Sequence, residues 1–136
     1  MVKVIMGLKG SGKTKQLLSA MHEAVIHETG CIVCIEIGNR LTYDVDYRVR
    51  LIEASDYDQD GYTFLKGFIS GLHAGNFDIT QIYIDKLYKV AGCSDIAQTE
   101  DFLNWCARFG EANSINFMIM ISDDVENATE GIRQYF

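Results

Sequence analysis

Residues 7–14 read GLKGSGKT, a complete match to the pattern G-x-x-x-x-G-K-[ST]. An oligophosphate carries several negative charges and is held best by backbone N–H groups, which reach it only where no side chain intervenes. Gly7, Gly10 and Gly12 clear that approach. The amides of Gly10, Ser11, Gly12, Lys13 and Thr14 would then ring the phosphates at the start of a helix, where unpaired donors and the helix dipole favour an anion. In this pattern the lysine, Lys13, reaches the β- and γ-phosphates and the hydroxyl of Thr14 binds Mg²⁺.

The flanks of the loop fit that reading. Val2, Val4, Ile5 and Met6 form a buried-strand run before it, while Leu17, Leu18, Met21 and Val25 lie on one face of a helix that begins inside it. Further along, residues 31–37 make a second apolar run that closes around Glu36 and is followed by the turn-prone Gly38 and Asn39. Residues 40–48 are polar and irregular. Val49, Leu51 and Ile52 predict a short, more charged third strand at the sheet edge. Phe64, Leu65, Phe68, Ile69 and Leu72 place a helix over 62–73, with Gly75 beyond its end. TQIYID, residues 80–85, is a fourth strand ending in a carboxylate. A helix fits 100–112, INFMIMIS from 115 to 122 is a fully buried fifth strand, and the tail carries a short helix with Val125, Ile132 and Tyr135.

Strands alternating with helices indicate a three-layer α/β sandwich on a mainly parallel five-stranded sheet, whose ligand sites lie at the carboxyl ends of the strands. The loop 7–14, Glu36, Asp85 and Ser122 each follow an apolar strand, so all four should converge on one end of the sheet. Asp85 there suits Mg²⁺, held through its water shell while Thr14 ligates the ion directly. The next position is Lys86, not the glutamate that serves many ATPases of this type as a base, so another strand end must orient the attacking water. Glu36 is the candidate. Ser122 is similar in its place to the polar γ-phosphate sensor of related ATPases, the alternative being a plain cap for the tail helix. Arg40 is a candidate phosphate contact, in its own chain or in a neighbouring subunit, and Arg133 a weaker one.

Other patterns lead elsewhere or nowhere. Lys9 is one position out of register for the signature lysine of ParA/MinD-type ATPases, a slot that holds Leu8. DYDQDG, residues 56–61, opens like a calcium loop, but its twelfth position is Gly67; its acids fit a turn and a cap for the following helix. Cys31 and Cys34 lie three apart in a strand, hence on opposite faces, so the four cysteines are expected to be buried, reduced thiols. His22, His27 and His73 lack ligand spacing. Among Tyr43, Tyr47, Tyr57 and Tyr62 there is room for one base-stacking ring, the rest packing.

The chain has 136 residues, 48% of them hydrophobic, which suits one domain over 1–136. A net charge of −7 disfavours nucleic acid as a bulk electrostatic ligand. No apolar run approaches the ~20 residues that span a bilayer, and Met1 leads straight into the first strand; a cytoplasmic protein is expected.

GLKGSGKT, the strand ending at Glu36 and the QIYID strand together resemble the additional-strand, RecA-like P-loop ATPases over about residues 1–122. The whole chain also resembles small stand-alone bacterial ATP-binding proteins that often carry a twitching-motility label. The acidic and histidine-rich motifs of the motility motors are not found in this sequence, so pilus retraction is not carried over. The resemblance implies strand order 1-5-4-2-3 and Glu36 as the catalytic glutamate. The function expected is a Mg²⁺-dependent ATPase in which ATP controls a protein partner or homo-oligomer, with Lys13 and Glu36 catalytic. The alternatives are a nucleoside-type kinase and a non-catalytic regulatory nucleotide site.

Overall fold

All strand pairs described in the computed structural model are parallel, and the structure describes residues 1–38, 41–42, 44–58 and 60–136. Five strands, β1 (Val2–Gly7), β2 (Cys31–Glu36), β3 (Val49–Glu53), β4 (Ile79–Ile84) and β5 (Asn116–Ser122), lie in the order β1-β5-β4-β2-β3. This is the order expected, with β3 at an edge.

The period of two along each strand divides the core. In β2, Ile32 and Cys34 face α1 (Lys13–His27), packing with Leu17 and Met21; Val33 and Ile35 face the opposite layer. That layer is built from α2 (Gly61–Gly75), α3 (Leu87–Ala91) and α4 (Ile96–Asn113), through Leu65, Ile69, Val90, Phe102 and Leu103. A strand covered on both faces must be apolar at successive positions, which is why these read as continuous runs. Among the described residues no helix is long and apolar enough to cross a membrane.

Several boundaries differ from expectation. α4 starts four residues before Glu100 because Asp95 caps it, accepting from the Gln98 amide at 2.9 Å. α2 runs through Gly75, and the acids before it do not cap it: Asp60 precedes the helix without a side-chain bond to it. The tail is two separate turns, a 3₁₀ turn over Val125–Asn127 and α5 (Glu130–Arg133). Their caps are Asp124 and Thr129, not Ser122. Cys34 and Cys106 are buried as expected, whereas Cys93 is half-buried and Cys31, at the first position of β2, is exposed. The tail closes the free edge of β1, with the Tyr135 carbonyl accepting from the Val4 amide at 2.7 Å.

Phe102 anchors the α2–α4 layer, fully buried with its ring 5.1 Å from that of Tyr62. Phe102→Ala is expected to cost about 3–5 kcal/mol. That should lower the midpoint of thermal unfolding, followed by circular dichroism, by roughly 10–20 °C.

Candidate functional site

β1 ends at Gly7 and α1 begins at Lys13, so the loop between them has five residues in which to reverse the chain. Gly10 and Gly12 make that reversal in the left-handed region, at φ 86° and 88°, where a side chain would be strained. Gly7 answers a different need, since a Cβ there would stand 2.6 Å from Ser11 Oγ. Gly12 precedes α1 without a side-chain cap, so the first-turn amides keep their donors for an anion.

Lys13 is 7% exposed, and its ammonium folds back on its own loop, donating to the Leu8 carbonyl at 2.9 Å and to Ser11 Oγ at 3.3 Å. Burial lowers its pKa; nearby Asp85 opposes this and Lys86 adds to it. Asp85, just past the end of β4, is 5% exposed, and burial raises its carboxyl pKa against the pull of Lys86 and Lys13. Its amide donates to the Ile35 carbonyl at 3.0 Å, which holds it in the sheet.

A cavity of about 410 Å³ opens over these groups. Gly10, Gly12, Lys13 and Thr14 line it from the loop, Asp85 and Ser122 from the ends of β4 and β5. Gly7 and Ser122 are register partners across β1 and β5, and Asp123 donates its amide to the Gly7 carbonyl at 3.1 Å. One carboxylate and one hydroxyl suit Mg²⁺, which keeps several waters and takes its other ligands from phosphates.

Glu36 follows a different course. It is 2% exposed, does not line this cavity, and accepts from the Leu41 amide at 3.1 Å. That bond draws the segment after β2 back across the sheet end, where Leu41 and Asp44 form part of the cavity wall. His22 on α1 lies 3.3 Å from the Asp44 carbonyl. Arg40 and Tyr43 lie outside the described residues. Arg133 donates to the Ala128 and Val125 carbonyls and so fastens the tail. Tyr62 is buried with its hydroxyl on Thr99, Tyr57 packs on Phe68, and Tyr47 is exposed; none of the three lines the cavity.

Five described wall residues were given no place in the site by the sequence: Lys9, Lys15, Leu41, Asp44 and Lys86. Lys86 carried a usable signal, since it directly follows the strand-end aspartate. Asp44 sits in an irregular segment and carried none.

No family model matches the chain, and no curated protein matches it in sequence. Among solved structures it is similar to the flagellar accessory protein FlaH from Methanocaldococcus jannaschii, with a TM-score of 0.61 at 9% identity. The match covers 98% of this chain and 65% of that one, so the chain spans about two thirds of the length of its structural neighbour. At that identity the likeness is one of fold, and the fold is RecA-like, in agreement with the strand order.

Proposed function

We propose that this chain binds Mg·ATP at residues 7–14 and hydrolyses it with modest turnover, its nucleotide state altering contacts with a protein partner or with further copies of itself in the cytoplasm. The observation that carries the reading is the buried Lys13 ammonium, set in a loop of left-handed glycines and sharing a cavity with the buried Asp85 carboxylate. Each of these two charges is costly alone, and the other only partly offsets the cost. A triphosphate carrying Mg²⁺ offers Lys13 an anion and Asp85 a cation. Thr14 and Asp85 would hold Mg²⁺ beside the phosphates, where the ion would supply positive charge to offset the charge that develops there. Lys13 and the amides from Gly10 to Thr14 would hold the phosphates in line, and Ser122 would touch the terminal one.

Two carboxylates compete to orient the attacking water. Glu36 has the strand-end position, but its carboxylate holds the Leu41 amide. Asp44 lines the cavity itself. This supports Asp44 as the water-orienting group and Glu36 as a positioning residue that seats the segment carrying it. Asp44→Asn is expected to lower kcat by about 10²-fold or more with Mg·ATP still bound. Glu36→Gln keeps an acceptor for the Leu41 amide and should retain most of its turnover. Phosphate release and nucleotide binding, measured in the same samples with ATP and GTP, check both. Loss of turnover in Glu36→Gln alone would return the role to the strand-end glutamate.

A further inference from the structure

Beside the cavity over the loop lies a second one of about 370 Å³, lined by Lys9, Lys86, Tyr88, Lys89 and Ser122. The two share Lys9, Lys86 and Ser122, so they adjoin along the ends of β4 and β5. The second is within the range of small-molecule sites.

Its charge is unusual for this protein. The chain carries −7 overall, yet of its seven lysines five, Lys9, Lys13, Lys15, Lys86 and Lys89, line one or both cavities. The described walls of the second cavity hold three ammonium groups and no carboxylate. None of the three forms an ion pair with a described residue. Asp123 is next in the chain after Ser122, but its Oδ1 is occupied by the Asp124 amide and the Asn127 side chain at 2.7 and 2.9 Å. Asp85, beside Lys86 in the chain, is the nearby counter-charge, and it is shared with Lys13. Like charges brought together with so little opposing charge repel, and a fold tolerates this where an anion is to be bound.

The backbone adds a second, independent observation. Only two described non-glycine residues have positive φ, Lys86 at 54° and Ser114 at 56°. Ser114 closes α4, an ordinary place for that conformation. Lys86 stands between β4 and α3 at the junction of the two cavities, where the conformation costs about 1–2 kcal/mol. Strain of that kind at a cavity wall points to a role for the side chain it directs.

We infer that the second cavity is a phosphate site separate from that of the nucleotide, in which Lys9, Lys86 and Lys89 hold a phosphate dianion while nucleotide occupies the loop. Its position on the Ser122 side, where the terminal phosphate would lie, rests on the function proposed above. Two sources share this chemistry: the inorganic phosphate released by hydrolysis, and the phosphate of a small phosphomonoester bound alongside ATP.

The test titrates inorganic phosphate, and separately glycerol phosphate, into protein saturated with a non-hydrolysable Mg·ATP analogue, read by calorimetry and ³¹P NMR. Saturable phosphate binding is expected. Lys89→Glu, which alters a residue of the second cavity alone, should weaken it by about ten-fold or more, the loss of one charge-assisted hydrogen bond. Lys89→Arg should retain it. Lys66→Glu makes the same two-unit change at a lysine paired with Asp101, away from both cavities, and controls for net charge. Glycerol phosphate binding as well assigns a phosphorylated co-ligand; its exclusion assigns a holding site for the hydrolysis product. Absence of saturable phosphate binding, or binding indifferent to Lys89→Glu, overturns the inference. The same titration of nucleotide-free Lys13→Ala protein separates this outcome from failure of the nucleotide reading, because a site dependent on Lys89 persists there even if ATP never binds.

Discussion

Lys13→Ala is expected to lower Mg·ATP affinity by roughly 10²–10³-fold, the range for truncating one partner of a buried, hydrogen-bonded charge pair. The ammonium is already desolvated and already inside the cavity, so little of its interaction with phosphate would go to stripping water or ordering a side chain. It need only exchange the Leu8 carbonyl and Ser11 hydroxyl for phosphate oxygens. The variant loses two local bonds and the pull of Asp85 but also sheds a buried charge, so its melting temperature should stay within a few degrees of wild type. Wild-type affinity carries a further signature. Burial lowers the Lys13 pKa, so affinity should decline on the alkaline side earlier than an ordinary lysine, at about 10.4, would dictate. Nucleotide titrations across pH check this, and unchanged ATP affinity in Lys13→Ala would remove the central reading.

Asp85→Asn should move activity and stability in opposite directions. Mg²⁺ affinity should fall by about 10–100-fold, as for a group acting through the metal's water shell, and Mg²⁺-dependent phosphate release with it. The nucleotide-free variant should nevertheless melt higher at neutral pH. The folded carboxyl has its pKa raised, chiefly by burial, above its value in the unfolded chain. Its contribution to stability is therefore complete below the unfolded pKa and is lost as pH rises through the folded one. Asparagine carries no charge and escapes that loss. A gain of about 0.5–2 kcal/mol is usual when a functional site is relieved of its cost. Scanning melts of both proteins should show the gap narrowing as pH falls into the acid range. A wild type that melts above the variant at pH 7 would contradict the assignment of burial as the dominant cause.

The inner strands were legible because they are covered on both faces, so that runs such as INFMIMIS could hardly be exposed, whereas β3 at the edge, with Arg50 exposed, gave a weaker signal. Their order was legible only through the likeness of the glycine loop and the QIYID strand to a known architecture; hydrophobic pattern alone does not say that β5 lies between β1 and β4. α3 went unread because five residues contain too little of a helical period. At the site, Lys13, Thr14, Asp85 and Ser122 were each marked by a strand end or by the glycine pattern, and they meet at one cavity. Glu36 shares the strand-end signal but turns its carboxylate to Leu41, a choice made by the backbone of the following loop. Asp44 enters by the path of that loop, which spacing does not encode, whereas Lys86 could have been found from its place directly after the strand-end aspartate.

The sheet order also sets a timetable for synthesis. Among the five described strands β1 pairs only with β5, the one furthest from it in the sequence. At ordinary translation speeds roughly 5–20 s separate the two on the ribosome. In that interval β2, β3 and β4 can align with one another and with α2, while the nucleotide loop trails from a strand that has no neighbour. Of these five strands the first in the sequence is the last to be seated, and a nascent chain halted before Asn116 would hold three paired strands with its glycine loop still hanging from an unpaired one.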